Sequence, residues 1–461
     1  MLGSPTSPSS FRDPCGFVYY QDNQLYRQVN PLCREDYDTL MKSGLYHHLV
    51  REEILVPHEE AGIEKAATVN AYKVIKPELV QFISYPYEWS FTQLQNAASL
   101  TLRAQKEALK YGMSLKDSSA YNVQFRNGKP ILIDTLSFER YQEGEPWVAY
   151  RQFCQHFLSP LALMSRVDVR LSQLFRIFID GIPLDLTSSL LPRRTYLIFS
   201  LLSHIHLHAR SQRHFADKPV KRRGTMTRFA LHAFLENLES VISQLKWKPQ
   251  RSEWADYYES SNYSSESFQH KAQLVSEILD GITPRPQILW DLGANTGAFS
   301  RISSSKGILT VSFDSDPTCV EASYTECIRT GETRILPLLM DLTNPSPDLG
   351  WENRERASWL GRGPADVLLA LALLHHLAIS NNLPFRRIVD LLSRITRELI
   401  IEFVPKNDLQ VQRLLASRKD VFPEYDQLNF EREFGSRFRF RRVEKIRNSE
   451  RVLYWMAKIS S

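Results

Sequence analysis

Cysteine is scarce in this chain: five stand among 461 residues, at positions 15, 33, 154, 319 and 327. Their number is odd and no two form a C-x-x-C pair, which removes the usual zinc-ligand spacing and is the pattern of free thiols in a reducing compartment. Long apolar runs are missing too. No segment approaches the roughly eighteen uninterrupted apolar residues that a bilayer crossing needs. The opening Met1-Leu-Gly-Ser-Pro-Thr-Ser-Pro-Ser-Ser10 has neither a basic flank nor an apolar stretch. It reads as a disordered tail over 1–12 and not as a signal peptide, so a cytoplasmic location is expected. Neither sign of charge dominates, since 57 Lys and Arg face 52 Asp and Glu for a formal net charge of +5. The one concentrated basic run, 218–228, could touch phosphate but reads more simply as a solvated linker. Internal repeats and long low-complexity tracts are absent.

What is present suggests more than one core, because a chain of this length exceeds what a single hydrophobic core organises. The expected division is an α+β domain over 13–212, a helical linker over 213–253 and an α/β domain over 254–461. Within the last lies Asp291-Leu-Gly-Ala-Asn-Thr-Gly297, preceded by the apolar Ile288-Leu-Trp290 and followed by Ala298-Phe-Ser-Arg301. That is a strand entering a Gly-punctuated turn and then a helix, where backbone close to a ligand requires residues without a large Cβ substituent. A second apolar run, 308–313, ends at Asp314, where a nucleoside fold places the acid that takes ribose hydroxyls. The third Gly of the dinucleotide pattern is missing. Further strands are expected over 335–340, ending at Asp341, over 365–373, ending at Leu374-His375-His376, and over 398–404. Two more, 438–446 and 451–459, flank the polar turn Arg447-Asn-Ser-Glu450. Strands alternating with helices predict a parallel sheet covered on both faces.

These motifs, in this order, resemble the class I S-adenosylmethionine-dependent methyltransferases. The resemblance covers about 254–461 and implies a seven-stranded Rossmann-like sheet with a final antiparallel pair, and S-adenosyl-L-methionine as cofactor. It implies roles for the loop Asp291, Gly293, Asn295 and Gly297: the glycines admit the cofactor's amino-acid end and Asp291 accepts from its ammonium or from a bridging water. It further implies that Asp314 grips the ribose diol and Asp341 meets the adenine amino group. Taken singly, each Asp could equally be a solvated carboxylate at a strand end.

The acceptor side is read from His375 and His376 at the mouth of the fourth strand. A histidine there can remove the proton of a hydroxyl acceptor. His375 is the first candidate and His376 the second; the plain alternative is that one ring packs beneath the cofactor and the other is solvated. Leu-His-His-Leu stands where enzymes methylating exocyclic base amines carry an Asn/Asp-Pro-Pro-aromatic turn. Cys319 and Cys327 lie off the transfer point, which disfavours carbon methylation of pyrimidines. A small-molecule or saccharide acceptor is expected, and a nucleic-acid partner is not. The insertion between the third and fourth strands carries Trp351, Arg354, Arg356 and Trp359, which suit either a lid over the crevice or a surface loop with its indoles tucked in. An aromatic entry segment, Trp254-Ala-Asp-Tyr-Tyr258, precedes a helix expected over 267–279.

The N-terminal half carries Asp117 and Asn122, a hairpin through Asn127-Gly128, and then Asp134. In kinase-like phosphotransferases this order supplies a catalytic Asp and two metal ligands. The Gly-rich loop is missing, the strand Lys is not evident, and Leu115-Lys116 replaces His-Arg. The half therefore reads as a kinase-like remnant or a convergent Asp/Asn turn, helping to bind the acceptor or acting as a binding or scaffold module, and not as an active kinase. His204 and His208 have metal-ligand spacing without a visible third ligand. Finally, Pro86-Tyr-Glu-Trp-Ser-Phe91, 114–122, Asp134-Thr-Leu-Ser-Phe138 and Glu402-Phe-Val-Pro-Lys406 resemble long bacterial methyltransferase-domain proteins, some labelled nodulation host-specificity proteins. The alternative to a methyltransferase is thus a kinase-like binding or scaffold protein whose methyltransferase fold mainly binds cofactor.

Overall fold

The structure is a computed structural model that describes residues 7–215, 226–249, 265–416 and 419–459. The chain divides into two compact units, Met1–Lys248 with Asp348–Arg356, and Pro249–Pro347 with Ala357–Ser461. Most of the basic run and the aromatic entry segment at 254–258 lie outside the described residues.

In the first unit β1 (Gly16–Gln21) and β2 (Gln24–Val29) form a hairpin, because Asp22 and Asn23 take the left-handed backbone, φ 52° and 58°, that a two-residue turn uses. Two helices, α1 (Arg34–Lys42) and α2 (Leu45–Arg51), separate the hairpin from β3 (His58–Ala61) and β4 (Lys73–Pro77), giving an antiparallel sheet of order β1-β2-β4-β3. The hairpin register also brings Cys15 back beside the start of α1, where it is joined to Cys33 with Cα atoms 5.2 Å apart. The expectation of five free thiols is corrected accordingly: Cys154, Cys319 and Cys327 are the free ones.

The long helix α3 (Phe91–Lys110) starts in a capping box between Ser90 and Gln93. The Pro-Tyr-Glu-Trp segment before it is a buried turn, in which Glu88 accepts from Tyr85 N at 2.9 Å and the Trp89 indole donates to Ser84 Oγ at 2.9 Å. Two small ladders follow: β5 (Met113–Leu115) pairs with β8 (Phe138–Arg140), and β6 (Val123–Arg126) with β7 (Lys129–Leu132). The helix expected inside the linker runs Arg228–Gln244 and packs on α3, where Gln95 Nε2 donates to the carbonyls of Ile242 and Leu245 at 2.7 and 2.8 Å. His204 is held by Tyr150 Oη at 2.7 Å and Asn237 Oδ1 at 2.9 Å, and His208 stacks on Tyr150, so both rings are engaged in packing.

The second unit runs α4 (Ser265–Gly281), β9 (Ile288–Leu292), α5 (Ser300–Ser305), β10 (Leu309–Asp314), α6 (Pro317–Thr330), β11 (Ile335–Leu339), β12 (Ala365–Ala370), α7 (Phe385–Ile395) and β13 (Thr396–Phe403). It closes with the antiparallel β14 (Phe438–Lys445) and β15 (Val452–Lys458). The sheet order is β11-β10-β9-β12-β13-β15-β14, with the first five strands parallel. This is the seven-stranded methyltransferase arrangement. One face buries Leu274, Val275 and Ile278 of α4 against Leu289, Leu369 and Ile400. The other stacks Trp290 on Trp359 with centroids 5.4 Å apart, so this indole of the insertion packs into the body. The stretch Asp348–Arg356 belongs instead to the first unit, where Glu355 pairs with Arg12 and the Arg356 guanidinium lies 4.4 Å from the Tyr121 ring centre.

Candidate functional site

Strand order reverses between β9 and β12, and in an open parallel sheet the crevice outside the carboxyl ends at such a point is where ligands bind. The turn leaving β9 is built for close approach. Gly293 has φ 70°, Asn295 52° and Gly297 82°. A Cβ on Gly293 would stand 3.2 Å from Leu373 Cδ1, whereas one on Gly297 would strike Ser323 Oγ at 2.8 Å, so the second glycine is demanded by packing against α6. Gly293 N and Ala294 N both donate to Phe313 O, at 2.9 and 3.0 Å, which ties the turn to β10. Asp314 completes the tie by accepting from Asn295 N at 2.8 Å and Asp316 N at 2.9 Å.

A cavity of about 300 Å³ opens over this edge. Asp291, Gly293, Asn295 and Asp314 line it toward β9 and β10, and His376 and Arg451 line it toward β12 and β15. From β10 to β15 is four strand spacings, roughly 19 Å at about 4.8 Å each. Asp341 is placed otherwise: it is exposed past β11, accepts from Thr343 N and Oγ1 at 2.8 and 2.7 Å, and is not among the residues lining the cavity.

Burial decides the electrostatics. Asp291 is 2% exposed and its carboxyl is pushed up to about 6, an effect that the 2.6 Å bond from Ser300 Oγ only partly offsets. Asp314 is likewise raised to about 6 by burial, against its backbone donors. Beyond β12 the two histidines separate. His375 is fully buried, neither ring nitrogen has a hydrogen-bond partner among the described residues, and its pKa falls well below the usual imidazole value through burial and the neighbouring His376. His376 begins a wide π-helical turn, His376–Ser380, and faces the cavity; burial, then the charge of Arg451, lowers it to about 4. The rings lie 4.1 Å apart.

Sequence reasoning missed a buried ionic group at this wall. Lys271 Nζ on α4 meets Glu402 Oε2 at 2.6 Å, and Arg451 pairs bidentately with Asp408 at 2.7 and 3.1 Å while its Nη1 lies 3.5 Å from Glu402 Oε1. Glu402 is fully buried, and its Oε2 also accepts from Ala372 N at 2.8 Å. The available signal was a charged residue inside the apolar Leu-Ile-Ile-Glu-Phe run of β13, since a carboxylate is almost never fully buried without partners.

No family model matches the chain. It is 35% identical over 454 residues to the nodulation protein NoeA of Rhizobium meliloti (strain 1021), covering 96% of this chain and 94% of that one. Among solved structures, magnesium protoporphyrin IX methyltransferase from Synechocystis PCC 6803 with bound SAH aligns at TM-score 0.31 and 16% identity, over 44% of this chain and 98% of that chain. The bifunctional kinase-methyltransferase WbdD aligns at TM-score 0.30 and 16% identity, over 48% of this chain and 46% of that chain, so the match spans less than half of WbdD.

Proposed function

The chain belongs to the family of the nodulation protein NoeA, and since that name specifies no reaction we propose one from the site: transfer of a methyl group from S-adenosylmethionine to a hydroxyl of a small molecule or saccharide. The observation that carries this reading is the cavity over the switch point, which Gly293, Asp314 and His376 line together. The residues present fit the cofactor. Gly293 leaves open the space a side chain would fill, and Asp314 is a carboxylate whose burial makes hydrogen bonds from a ribose diol valuable. Asp291, buried and close to Lys271, would face the amino-acid end, with Asn295 and Gly297 shaping the turn. Asp341 would reach an adenine only from the rim.

When bound, S-adenosylmethionine supplies the methyl group as an already activated sulfonium. The protein's task is then to hold the acceptor in line, exclude water and remove one proton. Of the two histidines, His376 suits the proton: it lines the cavity, and its lowered pKa leaves the imidazole neutral and free to accept a proton across the physiological range, as a weaker base than an ordinary histidine. His375 would support it from behind. The test is turnover by the full chain with methyl-labelled cofactor across a panel of hydroxylated small molecules and oligosaccharides. Label is expected in an oxygen-linked methyl; label only in nitrogen or carbon positions would overturn the hydroxyl assignment.

For the first unit one observation favours a non-catalytic, binding role. Asp134, the residue a kinase-like reading would give to a metal, already pairs with Arg27 Nη1 at 2.9 Å and accepts from Leu136 N at 2.8 Å. Asp117 is similarly engaged, by Ser119 N at 3.0 Å and Gln152 Nε2 at 2.8 Å.

A further inference from the structure

Ala372 has φ 50°, a left-handed backbone that an L-residue with a Cβ disfavours, and it stands between the end of β12 and the two histidines. Something must hold it there. Its N–H donates to Glu402 Oε2 at 2.8 Å, and the same oxygen takes the Lys271 ammonium at 2.6 Å, with the Arg451 guanidinium 3.5 Å from its twin. Glu402 is fully buried, so the bond to Ala372 is charge-assisted and shielded from water. The next residue, Leu373, places Cδ1 where a Cβ on Gly293 would meet it, and His376 follows on the cavity wall.

We propose that Glu402 is the positioning residue of the transfer site: from beneath the cavity it fixes Ala372 in the left-handed conformation that sets Leu373 over Gly293 and His376 at the cavity wall. Its purpose rests on the methyl-transfer reading; its geometry does not. Lys271, at 2.6 Å, and Arg451, at 3.5 Å, pair with the carboxylate and keep its two oxygens aimed. Glu402 is not among the residues lining the cavity and in this role acts through the loop.

The experiment compares Glu402→Leu with Glu402→Leu/Ala372→Gly in the full chain, by amide hydrogen exchange over 371–376 and calorimetric titration with S-adenosylhomocysteine. Glu402→Leu is expected to speed exchange in that loop and weaken binding by roughly tenfold or more. Glycine adopts the left-handed backbone without help, so Ala372→Gly should restore at least half of each loss. A residue that merely filled space would show no such rescue. Should Glu402→Leu not fold, Glu402→Gln keeps the volume and one acceptor and is expected to show the same pattern at about threefold, again relieved by Ala372→Gly. Wild-type exchange and affinity in the single variant, or a loss that glycine fails to relieve, overturns the proposal. Wild-type protein that binds no S-adenosylhomocysteine would sink the cofactor reading instead, while the exchange comparison would still judge Glu402.

Discussion

At the scale of single residues the two adjacent histidines should behave differently. A base acts in the transition state, so His376→Ala is expected to lower the turnover number by about 10² to 10⁴ with cofactor affinity nearly unchanged. His375→Leu, which keeps an apolar volume behind the wall, should cost less than about fivefold if the fold is kept, as a residue without contact to the reacting atoms should. At saturating cofactor the wild-type rate should fall only as pH drops through about 4, since His376 is lowered to about 4, and the His376→Ala protein should lack that limb. A larger loss in the His375 variant would reverse the assignment. Sequence alone made His375 the first candidate, because the order of two neighbouring residues does not say which faces a cavity. That depends on the left-handed step at Ala372, and alanine gives no sign of such a backbone.

At the scale of elements the carboxyl ends of β9 and β10 carry two carboxyls raised to about 6. Each has a folded pKa above its unfolded value, so the stability that the neutral form gives is present below the unfolded pKa near 4 and is lost as pH rises through about 6. Ligand donors favour the charged form. Binding should therefore release protons, and the affinity for S-adenosylhomocysteine should rise as pH increases through about 6 and then level off. Calorimetry at several pH values in buffers of different ionisation enthalpy checks this; uptake of protons near pH 6, or affinity that falls there, would contradict it. The elements themselves were legible because strand length, apolar content and terminal acids coincide: β10, expected over 308–313, runs Leu309–Asp314. The fourth strand was expected to reach 373 and stops at Ala370, where apolar Leu371 to Leu373 leave the sheet to line the site. The Lys271, Glu402 and Arg451 cluster was not legible, because it unites α4, β13 and the start of β15 across 180 residues and no local pattern predicts such a meeting.

At the scale of the whole molecule the α/β and α+β halves were readable from alternation of elements, but their exact membership was not. Asp348–Arg356 lies within the sequence of the second half and groups with the first unit, and the supposed linker helix packs on α3. The Cys15 and Cys33 pair was also hidden, since only the β1–β2 register brings the two together. For the first unit, purified full-length protein is expected to transfer no phosphoryl group from ATP with Mg²⁺; phosphorylation that disappears in Asp117→Asn and Asp134→Asn would overturn this. The central claim is that the second unit binds S-adenosylmethionine over the Gly293 turn. The most direct test is calorimetric titration of the full chain with S-adenosylhomocysteine, alongside Gly293→Val, whose branched side chain would meet Leu373 and the ligand space from a backbone at φ 70°. One-site binding by the wild type and none by the variant is the predicted result, and well-folded wild type that gives no binding, or a variant that binds equally well, would contradict it.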